Sequence, residues 1–133
     1  METSAAVQLN EIGQIALTVA SLDEARAFYR DVLGMQFLFD AGSMTFFQCG
    51  SVRLLIGAAE PGTAAGGNTI LYFCVPDIQA AAATLHDKGV AFFQEPHLVA
   101  RMKSHDLWIA FFKDPAGNPL ALMSEVARTG DAG

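Results

Sequence analysis

The sequence predicts an α+β fold, two tandem βαβββ modules forming a curled mixed sheet around a cleft. Three observations predict it. The stretch QIALTVASLDEARAFYRDVLG, Gln14 to Gly34, reads as a strand that runs straight into a helix stopped by a glycine. The same plan returns in ILYFCVPDIQAAAATLHDKGV, where Val75 repeats Val19 at a distance of 56 residues. Between the two lies a Gly/Ala/Pro segment, GAAEPGTAAGGN, that suits a linker. One domain over 1–133 follows, with module one at about 12–57, a linker at 58–67 and module two at about 68–125.

The elements can be taken in order. Ile15, Leu17 and Val19 share one face of the first strand, and Gln14, Ala16 and Thr18 the other. Ser21-Leu22-Asp23-Glu24 has the form of a capping box, so a helix is expected to start at Leu22. Leu22, Ala25, Phe28, Tyr29 and Val32 make its apolar stripe, and Gly34 supplies the left-handed exit. In the second half Asp77 takes the N-cap place of Ser21, Ile78 that of Leu22 and Ala81 that of Ala25. With one residue deleted, GMQF at Gly34 meets GVAF at Gly89. FFQ at Phe46–Gln48 then meets FFK at Phe111–Lys113, and VRLLI at Val52 meets PLALM at Pro119. A unit of about 55 residues is too small to bury a helix and both sheet faces comfortably alone. The expectation is therefore helices on the outer faces and a cleft between two curled sheets.

Composition narrows the function. A net charge of −6 with eight scattered basic residues argues against a nucleic-acid surface, which needs clustered Lys and Arg. No run of about 18 apolar residues is present, so no membrane span is expected. No basic segment followed by an apolar one marks a secretory signal at the N-terminus, and the ends, 1–10 and 127–133, are expected to fray. Cys49 and Cys74 lack CxxC spacing and read as small buried hydrophobes, which suits a reducing cytoplasm.

The βαβββ–βαβββ order, with VASLDEARAFYRDVLG in the first half and FFKDPAGNPLAL closing the second, resembles the vicinal oxygen chelate superfamily. That group includes glyoxalase I, bleomycin- and fosfomycin-resistance proteins and extradiol dioxygenases. The resemblance covers about Ile12 to Glu125. It implies a divalent metal held by four pseudo-equivalent strand positions, which fall here on Gln14, Leu54, Ile70 and Ala121. Of these only Gln14 can coordinate a cation, and one neutral ligand does not hold a divalent ion against water. No metal and no cofactor are therefore expected. The superfamily's habit of pairing implies a homodimer.

For the cleft, strand parity gives Gln14, Phe46, Gln48, Leu54, Ile70, Tyr72, Ala121 and Met123, a largely apolar lining with a few polar handles. In HDLWIAFF, His105, Leu107, Ile109 and Phe111 share one face and Asp106, Trp108, Ala110 and Phe112 the other. Parity alone does not choose between them. The resemblance to fosfomycin-resistance proteins favours the odd face, and with it places Arg101, His105, Ile109 and Phe111 at the substrate site. His105 is then the candidate acid/base, histidine being a side chain suited to proton transfer near neutral pH.

The leading expectation is a metal-free binder of an aromatic or apolar small molecule, acting by sequestration or as an enzyme that uses His105. Its rival is a metal-dependent lyase, isomerase or dioxygenase with relocated ligands, drawn from His97, His105, Glu95 and Glu125. A purely structural module is the third reading.

Overall fold

The computed structural model describes residues 7–60 and 68–128. Most of the 58–67 linker, and the outer parts of the two ends expected to fray, lie outside the described residues.

Among the described residues, eight strands and two helical segments follow the expected order. Strand β1 (Gln14–Val19) leads into helix α1 (Leu22–Ala27), which continues as one π-helical turn over Phe28–Val32. Strands β2 (Gln36–Ala41), β3 (Met44–Cys49) and β4 (Val52–Ala58) complete the first module. The second module runs β5 (Leu71–Cys74), α2 (Ile78–Asp87), β6 (Phe92–Arg101), β7 (His105–Lys113) and β8 (Pro119–Ala127).

The helix boundaries come from local chemistry. Ser21 Oγ accepts from the Glu24 amide at 3.2 Å, and Asp77 Oδ1 accepts from the Ala80 amide at 3.1 Å. Gly34 and Gly89 close the two helical segments with φ of 73° and 90°, a conformation that a side chain would strain.

Each module makes one four-stranded mixed sheet, ordered β1-β4-β3-β2 in the first and β5-β8-β7-β6 in the second. In each, the first and last strands of the module pair in parallel and the rest antiparallel. This is the α+β architecture of two tandem βαβββ modules.

How the modules meet is what positions the site. The helix-bearing faces of both sheets feed one core, which joins Leu17, Phe47, Leu54 and Ile56 of the first module to Leu85, Ala110, Phe112 and Leu120 of the second. A buried hydrogen-bond network ties the halves together across it. The π-helical turn directs the fully buried Tyr29 to Asp114, whose Oδ2 accepts from the Tyr29 hydroxyl at 2.8 Å. Burial first, and the Asp114 charge second, hold the Tyr29 pKa far above its ordinary value. Asp114 Oδ2 also accepts from Asn118 Nδ2 at 2.8 Å, and that amide donates in turn to the Thr18 carbonyl. Lys88 reaches the Asp31 and Val32 carbonyls at the end of the first helical segment, each at 3.2 Å.

Because both inner faces enter one core, the opposite faces of the two sheets look away from it. Each module presents its own open face, the first bearing Phe39 at 45% exposure and the second Tyr72 at 45% and Phe93 at 54%.

Candidate functional site

On the first open face the register sets side chains in cross-strand rows. Gln14, Arg53, Gln48 and Gln36 form a polar row across β1, β4, β3 and β2. The next row along the strands is apolar: Ala16, Leu55, Phe46 and Phe39. Phe39 and Phe46 lie with ring centroids 4.6 Å apart, and the Arg53 guanidinium sits 5.7 Å over the Phe46 ring. Arg53 Nε donates to Gln14 Oε1 at 2.8 Å. Gln48 Nε2 donates to the Gly50 carbonyl at 2.7 Å.

On the second open face Tyr72, Ala121 and Phe111 form one row, and Cys74, Met123 and Ile109 the next. Tyr72 meets Phe111 edge-on at 5.9 Å, and Phe93 stacks on Phe111 at 5.7 Å. The aromatic rings leave Ala121 with no exposed surface. Lys113 reaches 5.5 Å over Phe93 at the rim.

The structure thus distributes the sequence-predicted residues over several places. Gln14, Phe46 and Gln48 share the first open face; Tyr72, Phe111, Ala121 and Met123 share the second. Ile70 precedes β5 and lines a gap of about 240 Å³ between the modules, together with Ile15, Leu54 and Tyr72.

Leu54 is a correction. It pairs with Ile15, is 2% exposed and belongs to the core, so it points away from Gln14. The residue beside Gln14 on the open face of β4 is Arg53, and the next is Leu55. The register explains the slip. Leu54 pairs with Ile15 as Leu120 pairs with Leu71, so the counterpart of Ala121 is Leu55. The apolar run VRLLI carries no alternation that fixes its phase.

Arg101 and His105 require a second correction. They do not share one extended segment, because a turn at Met102–Ser104 separates β6 from β7. Arg101 pairs with Asp106, which puts its side chain on the face opposite to His105. His105 does share its face with Ile109 and Phe111, but it starts β7, about 20 Å along the strand from Phe111. Its Nε2 stands 3.6 Å from Glu125 Oε2, and its Nδ1 3.4 Å from Ser104 Oγ. Cys74 is exposed and Cys49 only partly covered, so neither is the buried hydrophobe expected.

The residues at the positions that resemble a metal site do not fit a divalent ion. The only donor oxygen among them, Gln14 Oε1, accepts a hydrogen bond from a guanidinium, a cation where a second cation would stand. Leu55, Ile70 and Ala121 offer no donor atom. Among the described residues, no three His, Cys, Asp or Glu side chains converge elsewhere. Sequence reasoning passed over Arg53, Leu55, Phe39 and Phe93. Arg53 had a signal, being the one charge inside the apolar run SVRLLIG.

The family model described as "Glyoxalase/Bleomycin resistance protein/Dioxygenase superfamily" matches residues 11–122. No curated protein matches the sequence. Among solved structures, a lactoylglutathione lyase from Agrobacterium tumefaciens is 24% identical with a TM-score of 0.72, over 88% of this chain and 95% of that one. A member of the same superfamily from Sphaerobacter thermophilus is 22% identical with a TM-score of 0.73, over 88% and 98%. TnmS3, an antibiotic binding protein from Streptomyces sp. CB03234, is 20% identical with a TM-score of 0.72, over 90% and 99%. At these identities the structural likeness shows the fold, and the family match over most of the chain shows the lineage. The chain belongs to the glyoxalase/bleomycin resistance protein/dioxygenase superfamily.

Proposed function

We propose that this chain binds a small, flat organic molecule without a divalent metal, by sequestration or as the first step of a metal-free reaction. The observation that carries the reading is the Arg53–Gln14 hydrogen bond at 2.8 Å, which gives the one eligible metal ligand to a guanidinium. The exposed rings of Phe39, Tyr72 and Phe93 support it, since flat apolar ligands are held by such surfaces. The fold is shared by an antibiotic binding protein and by a lyase, so it suits either sequestration or turnover. His105 stands too far from the aromatic rows to be assigned a proton-transfer role at Phe111. No described helix is long and apolar enough to cross a membrane. Unpaired Cys49 and Cys74 suit a reducing cytoplasm.

Elemental analysis of dialysed protein tests the metal-free reading. Substoichiometric zinc, nickel and iron are expected, with no rise in melting temperature when divalent ions are added. Stoichiometric metal that survives dialysis, and is lost in Gln14→Leu, would end it.

A homodimer belongs to the same reading. Two open faces with exposed aromatic residues, looking away from one core, are each half of a cleft, and a second copy supplies the other half. Sedimentation at tens of micromolar is expected to give about twice the chain mass of 14.2 kDa. A clean monomer at that concentration counts against pairing.

A further inference from the structure

The first open face carries more than aromatic surface, and its charge says what kind of ligand it takes. A guanidinium has five N–H donors in a planar fork. In Arg53 the Nε–H is given to Gln14, which fixes the plane of the group. The Phe46 ring lies beneath it and steadies the same orientation. Among the described residues no carboxylate pairs with Arg53, and neither Nη1 nor Nη2 carries a hydrogen bond. The free end of the fork therefore presents two parallel donors, the geometry that a carboxylate accepts bidentately. Its neighbours in the polar row, Gln14, Gln48 and Gln36, are neutral amides. The adjacent row of Leu55, Phe46 and Phe39 lies two residues along the strands, about 7 Å away. That is close to the distance between a carboxylate and the far edge of the ring that bears it.

We propose that this face binds a flat aromatic carboxylate, with the Arg53 fork holding the two carboxylate oxygens and the Leu55–Phe46–Phe39 row holding the ring. The proposal rests on the small-molecule reading above and narrows it to an anion.

Calorimetric titration of the whole chain with naphthoate and with its neutral amide, naphthamide, tests this. The wild type is expected to prefer naphthoate about ten- to hundredfold, the value of a charge-assisted bidentate pair. Arg53→Met should erase that preference, weakening naphthoate far more than naphthamide, and leave the melting temperature unchanged, because Arg53 is exposed and outside the core. Arg53→Lys should keep only part of it, and Phe46→Ala should weaken both probes. Equal binding of the two probes by the wild type, or a preference that survives in Arg53→Met, overturns the carboxylate inference while leaving a small-molecule site. Binding of neither probe at millimolar concentration overturns this face as an aromatic site. The small-molecule reading would then rest on the second face alone.

Discussion

Replacing Asp114 by alanine is expected to lower the unfolding free energy by about 3–5 kcal/mol. Asp114 is 4% exposed, and four donors converge on its carboxylate. Oδ1 accepts from the Ala116 and Asn118 amides, at 2.9 and 2.8 Å. Oδ2 accepts from the Tyr29 hydroxyl and from Asn118 Nδ2, both at 2.8 Å. Alanine leaves all four without that acceptor, the Ala116 amide part-buried and the others buried, and each unmet buried donor costs about 1–3 kcal/mol before relaxation. Tyr29→Phe removes one donor instead of the acceptor and should cost only about 0.5–1.5 kcal/mol. Asp114→Asn should fall between, because its amide keeps one acceptor for the backbone but turns a donor toward two donors. Urea denaturation of the three variants checks the order. An Asp114→Ala protein within about 1 kcal/mol of wild type would mean that the network does not hold the modules together.

Adjacent leucines in β4 should behave in opposite ways, which tests the assignment of the two faces. Leu54→Ala empties part of the shared core and should cost about 2–5 kcal/mol of stability. Its effect on ligand affinity should be small, since it points away from Arg53 and Phe46. Leu55→Ala removes a half-buried side chain from the open face. It should cost about 1 kcal/mol or less of stability in the single chain, yet weaken binding of an aromatic probe. Melting curves and probe titration on the two variants separate the cases. The reverse pattern, with Leu55 structural and Leu54 decisive for binding, would restore the original parity.

The sequence by itself determined the modules, their order and most of their boundaries, because those depend on signals a few residues long. Ser21 and Asp77 cap the helices, Gly34 and Gly89 end them, and the repeat of Val19 at Val75 marks the duplication. It also determined that Ile70 and Ala121 offer no metal ligand, since a side chain's donor atoms do not depend on the fold. Only the tertiary structure decided the phase of β4. One face of that strand enters the core with Leu54 and the other carries Leu55 beside Arg53, so the adjacent leucines give no alternation and a single charge is too little for periodicity to fix the phase. The same holds for Arg101 and His105, whose shared parity vanished once a turn fell between them. Which faces the modules join was decided by contacts far apart in the chain, above all the Tyr29–Asp114 hydrogen bond across 85 residues. No local pattern encodes such a pairing, because the partners acquire their burial and their hydrogen bond only when the two modules meet.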